Sequence, residues 1–140
     1  MAEYTAIALQ TVEAGQNVLF TESPFSCRKG YVSHREGSGI FRLKGVNQCR
    51  ARYKVSFGAN IELLTGATVG PISIAIDIEG EPQASATAIV TPAAVEEFSN
   101  IFTTIYTDVD CGCCLTVSIE NTSTQAIGVQ NANLIVERIA

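Results

Sequence analysis

The chain has 140 residues, 46% of them hydrophobic and 16% charged, and a net charge of −5. That is long enough for one well-filled core and too apolar for a disordered chain. No apolar run reaches the roughly 18 to 20 residues that cross a bilayer, no glycine repeat suggests a collagen stalk, and one His with no Trp leaves a thin stock for catalysis.

Thr, Val and Ile number 13, 12 and 14, a β-branched excess that favours strands over helices. Strands are predicted over Tyr4–Thr11, Asn17–Thr21, Gly30–Arg35, Gly39–Lys44, Arg50–Leu63, Val69–Glu79, Ser85–Val90, Phe98–Val109, Cys114–Asn121 and Ala126–Arg138. Turn signals separate them at Glu36-Gly37-Ser38-Gly39, Thr65-Gly66, Glu79-Gly80-Glu81-Pro82 and Asn121-Thr122-Ser123. One short helix is predicted over Pro92–Glu97, with Thr91 as N-cap and Pro92 in the first helical position. With no linker and no internal repeat, the expectation is a single all-β domain over residues 1–140, a sandwich or barrel.

Alternation assigns the faces. Ala51, Tyr53, Val55 and Phe57 point one way, and Arg50, Arg52, Lys54 and Ser56 the other. Ile72, Ile74, Ile76 and Ile78 share a face opposite Ser73, Ala75 and Asp77. In the segment after Phe98, Ile101, Ile105 and Val109 oppose Phe102, Tyr106 and Asp108, so this strand is apolar on both faces. A two-layer sandwich hides only one of them, and the second is expected to meet another subunit.

Charge is unevenly spread. Eight of the nine basic residues lie between Arg28 and Lys54, where Glu36 is the only acid. An acidic protein repels nucleic acid overall, so the basic band is expected in a neutralised network rather than on a nucleic-acid surface, with phosphate or acidic glycans as the lesser reading. Catalytic motifs are weak. His34, beside Glu36, reads as an exposed turn histidine, Asp108 and Asp110 as ion-pair partners or solvated charges, and Glu96-Glu97 as a solvated turn. Asn121-Thr122-Ser123 matches a glycosylation sequon, which counts for little without a secretory signal, and Met1-Ala2-Glu3-Tyr4-Thr5 shows none. Neither a cofactor motif nor a phosphate-cradling loop occurs, and the expectation is no cofactor, no membrane and no enzyme.

The order of segments is familiar. Arg52-Tyr53-Lys54-Val55-Ser56-Phe57 precedes Ile74-Ala75-Ile76-Asp77-Ile78-Glu79-Gly80-Glu81-Pro82, a strand ending at Val109-Asp110 leads into Cys114-Leu115-Thr116-Val117-Ser118-Ile119-Glu120-Asn121, and Asn133-Leu134-Ile135-Val136-Glu137-Arg138-Ile139 closes the chain. This arrangement resembles the jelly rolls of tumour necrosis factor and complement globular heads. The segments Val90–Phe98, Cys111-Gly112-Cys113-Cys114 and Val129–Leu134 look like small Firmicutes and prophage proteins related to exosporium glycoprotein heads. The resemblance implies a ten-strand antiparallel sandwich, a homotrimer and no enzymatic activity.

Within a jelly roll, the strand starting at Arg50 should pair antiparallel with the one ending at Val109. Cys27, Cys49, Cys111, Cys113 and Cys114 would then gather at one pole. Disulfides, a thiolate metal site and reduced packed thiols all remain open for them. Phe102 and Tyr106, with Tyr4, Ala6 and Ala8, are expected at the trimer interface. Arg50, Arg52 and Lys54 should face acids on neighbouring strands, Arg50 near Asp108 or Asp110 and Arg52 near Glu137. The expected function is a virion structural protein, a trimer that decorates a phage capsid with the major capsid protein as partner. The alternative is a trimeric module that recognises glycans or a receptor at a cell or spore surface.

Overall fold

Period-two alternation runs through nearly every segment, and in the computed structural model the described residues form eleven strands in two antiparallel sheets. The structure describes residues 2–25, 31–45, 50–110 and 114–139. The strands are β1 (Ala2–Ala6), β2 (Gln10–Val12), β3 (Glu22–Phe25), β4 (Val32–His34), β5 (Ile40–Lys44), β6 (Ala51–Leu63), β7 (Ile72–Ile78), β8 (Glu81–Val90), β9 (Ser99–Val109), β10 (Cys114–Asn121) and β11 (Ile127–Arg138). One sheet runs β3-β1-β11-β6-β9, with β2 also paired to β11, and the other runs β4-β5-β10-β7-β8. The topology is an all-β jelly-roll sandwich.

The core lies between the sheets. Tyr53, Val55, Phe57, Ile61 and Leu63 of β6 meet Phe41, Leu43, Ile72, Ile74, Ile76 and Ile119 of the opposing layer, all fully buried. Aromatic rings tie one end of the core, with Phe20 and Phe41 edge-on at 5.2 Å between centroids. The Tyr53 hydroxyl crosses between the layers and donates to the Lys44 carbonyl at 2.5 Å. As expected, β6 is flanked by β9 and β11, with Ala51 opposite Val109 and Glu137 opposite Lys54.

Three expectations about local structure are corrected. The segment Tyr4–Thr11 splits into β1 and β2 because both pair with β11, whose register against β6 shifts between Gln130 and Asn133. Asn131 takes a left-handed φ of 55° at that bulge and donates its N–H to the Ile7 carbonyl at 3.2 Å, so residues 7–9 form the matching kink. Asn17–Thr21 is not a strand; only Asn17 makes a bridge, to Glu120, and pairing resumes at β3. Pro92–Glu97 is not a helix either. Glu96 sits at φ 61° and bonds back to the Leu63 carbonyl at 2.8 Å, which a right-handed helix does not permit. Six residues also supply too few hydrogen bonds to offset helix nucleation.

Candidate functional site

The outer face of the six-stranded sheet is the most distinctive surface of the molecule. Alternation in β9 sends Ile101 and Val109 into the core and leaves Phe102 and Tyr106 outside, 63% and 59% exposed. Phe102 pairs with Gly58 of β6, and its Cδ2 lies 3.7 Å from where a Gly58 Cβ would stand. Tyr106 is opposite Lys54, and Thr104 is opposite Ser56, their hydroxyls 3.0 Å apart. An amide ladder closes one end: Asn100 Nδ2 donates to Asn60 Oδ1, and Asn60 Nδ2 to Asn131 Oδ1, each at 3.2 Å.

A charge cluster closes the other end. Arg52 is the register partner of Asp108 and grips it bidentately, Nε to Oδ1 at 2.7 Å and Nη2 to Oδ2 at 3.0 Å. Arg50 reaches the same carboxylate at 4.0 Å and Asp110 at 3.3 Å. The Arg52 hydrogen bond holds Asp108 below the usual carboxylate range, and the same bond raises Arg52. Arg52, Tyr106, Thr107, Asp108 and Ile139 line a concavity of about 340 Å³. The expected Arg52–Glu137 approach does not occur. Register sets Glu137 opposite Lys54, one pleat away, and Asp108 claims the guanidinium.

The first strand does not join this surface as expected. Ala2, Tyr4 and Ala6 are buried and face inward, and Glu3 and Thr5 take the outward positions. The Tyr4 ring packs 4.7 Å from Phe41 and 4.9 Å from His34, so Tyr4 and Ala6 belong to the chain's own core rather than to an outer face. Ala8 is exposed, but in the kink between β1 and β2.

His34 is not an exposed turn residue. It ends β4 and stacks on Phe41 at 4.2 Å with 13° between planes, and its Nε2–H donates to the Ser38 carbonyl at 2.8 Å. Asn121 of the sequon is 0% exposed. Its Nδ2 donates to the Val12 and Gln125 carbonyls, each at 3.0 Å, and its Oδ1 accepts the Ser123 N–H. It is a core keystone that a glycosyl group cannot reach. Cys114 is exposed at the start of β10. Cys27, Cys49, Cys111 and Cys113 lie outside the described residues. No group of three metal-ligating side chains occurs among the described residues.

Sequence reasoning passed over Asp77. It sits on the outer side of β7 yet is 2% exposed, and Glu120 of β10 shares its side-chain hydrogen bonding. An acid between Ile76 and Ile78, the one charged residue of the strand, was the available signal.

The chain matches no protein-family profile and no curated protein sequence. Solved structures do match over nearly its whole length. The globular domain of zebrafish complement 1qA is 14% identical, with 96% of this chain and 94% of that one covered, at a TM-score of 0.59. The Eiger TNF of S. frugiperda is 9% identical, with 99% and 91% covered, at a TM-score of 0.74. At these identities the likeness establishes a fold of the complement-head and TNF type and nothing finer. Neither structure is a bacterial or phage protein.

Proposed function

We propose that the chain is a non-catalytic recognition module that assembles as a homotrimer through the outer face of its six-stranded sheet. The observation that carries this reading is the pair Phe102 and Tyr106, both more than half exposed on an ordered strand whose inner face is already buried. Burying both rings contributes on the order of 4 kcal/mol per chain at about 25 cal/mol per Å² of apolar surface. Several polar groups on the same face are satisfied before any partner arrives: Arg52 is neutralised by Asp108, and the amides of Asn60, Asn100 and Asn131 bond to each other. Covering the face strands none of these, and Lys54, the register partner of Glu137, is the charge that assembly has still to pair. The three-fold arrangement is the one implied by the resemblance to TNF and complement heads.

A non-catalytic role fits His34, whose ring is packed among aromatic side chains and whose Nε2 is engaged by a backbone carbonyl. Placement in a virion, and a capsid protein as partner, rest on sequence resemblance alone, and nothing in the geometry favours them over the recognition reading. Sedimentation velocity at micromolar concentration tests the proposal. A trimer is expected for the wild type and a monomer for Phe102→Asp, which sets a charge in the contact. A monomeric wild type overturns it.

A further inference from the structure

The outer face of the five-stranded sheet carries a basic row that no acid completes. Ser33, Arg42 and Thr116 are register partners on β4, β5 and β10, so a guanidinium stands in line between two hydroxyls on one face. Arg35 follows Ser33 at the next outward position, and Ile40, 52% exposed, lies beside the row. Together with His34 and Ser38 these residues line a concavity of about 400 Å³ with no Asp or Glu in its wall.

The cations there are uncommitted. Arg50 and Arg52 are held by Asp108 and Asp110, and Arg138 lies 4.8 Å over the Tyr31 ring. Among the described residues neither Arg35 nor Arg42 has an ion-pair partner. One acid, Glu79, stands beside the row and accepts the Thr116 backbone N–H through Oε1 at 2.8 Å, but it forms no ion pair with Arg35 or Arg42.

The turn that frames the concavity is held from several sides. Gly37 N–H donates to the Phe20 carbonyl at 2.9 Å, Ser38 N–H to Arg35 O at 2.9 Å, and Ile40 N–H to Ser38 Oγ at 3.1 Å. A rigid wall saves the ordering cost that weakens binding to mobile loops.

We infer that this concavity binds the carboxylate or sulfate of an acidic polysaccharide, one charged sugar per site. Arg42 supplies a bidentate fork for a planar or tetrahedral anion. The Ser33 and Thr116 hydroxyls supply donors and acceptors for ring hydroxyls, and Ile40 offers an apolar contact to the C–H face. A nucleic acid fits less well, because no Phe, Tyr or Trp lines the concavity on which a base could stack. The inference rests on the recognition reading, and the site lies on the sheet opposite the assembly face. Three such sites on one trimer would engage a repeating polymer with avidity.

The test titrates the intact protein with short oligogalacturonate (carboxylate only), short sulfated dextran oligosaccharide (sulfate only), neutral dextran and single-stranded DNA, following amide shifts and Kd. Saturable binding to at least one acidic oligosaccharide is expected, with shifts at residues 33–42 and 116 and none with neutral dextran. Which of the two binds more tightly identifies the group. Arg42→Ala should weaken binding at least tenfold with its circular dichroism unchanged, Arg42→Lys should restore part of it, and Ser33→Ala should weaken it about threefold. No binding to either oligosaccharide, undiminished binding by folded Arg42→Ala, or preference for DNA overturns the inference. The oligomeric state is a separate outcome. A wild-type monomer that binds removes the trimer and leaves this site standing, whereas a trimer that ignores both oligosaccharides does the reverse.

Discussion

Asp77 and Glu120 stand diagonally across the β7–β10 pairing: Asp77 is the register partner of Ser118, and Glu120 that of Ala75. Two carboxyl groups thus share the outer side of one sheet at a position where Asp77 is 2% exposed and its Oδ1 has no partner. Burial, then the hydrogen bond with Glu120, then that group's charge push the Asp77 carboxyl up to about 7.

The sign of the resulting pH dependence is opposite to that of a salt-bridged acid. Because the folded chain holds this proton more tightly than the unfolded one, its contribution is fully present below about 4 and is lost as pH rises to about 7. The urea midpoint of the wild type is expected to carry a component that falls across this window and flattens above it. Asp77→Asn should remove that component and exceed the wild type in stability at pH 8. An unchanged slope in Asp77→Asn would show that other groups set the pH response.

Asp108 works the other way. Its carboxyl is lowered by the Arg52 hydrogen bond, so the pair's contribution is present above about pH 4 and fades as pH falls through the lowered value. Arg52→Glu sets two acids face to face and is expected to weaken trimer assembly at least tenfold. Adding Asp108→Arg should recover part of the loss, because these two residues are register partners, whereas adding Glu137→Arg should not. Sedimentation equilibrium of the wild type and these three variants reads both outcomes.

Asn121→Ala removes a fully buried side chain that bonds to Val12, Ser123 and Gln125. Leaving those groups buried without partners should cost about 2 to 4 kcal/mol, measured by urea denaturation. For the same reason, intact mass after expression in a glycosylating host should show no glycan at Asn121.

Gly39 is packed against the preceding loop. A Cβ there would lie 2.8 Å from both Asn17 Cβ and the Val18 carbonyl oxygen, so Gly39→Ala must push the turn away from residues 17–18. A loss of about 1 to 3 kcal/mol is expected from this overpacking. Thermal unfolding checks it, and Gly37→Ala is a useful contrast: no atom crowds that Cβ, and only the φ of 81° is strained.

Local chemistry determined much of this architecture. Side chains alternate with a period of two in any strand, so the inward sets Ala51-Tyr53-Val55-Phe57 and Ile72-Ile74-Ile76 were legible from residue type alone, as were the exposed rings of Phe102 and Tyr106. The extent of β10 was legible too, bounded by Cys114 and Asn121. Tertiary structure alone decided the phase of β1, where Tyr4 and Thr5 can each face a core, and the choice went to the residue whose ring fills space beside Phe41 and His34. It also decided that Arg52 meets Asp108 rather than Glu137. Register between strands distant in sequence is set by which core side chains interlock, and a shift of one residue reverses every partner. The row Ser33–Arg42–Thr116 and the pair Asp77–Glu120 have the same origin: each joins residues far apart in the chain, and only the packed sheet brings them into line.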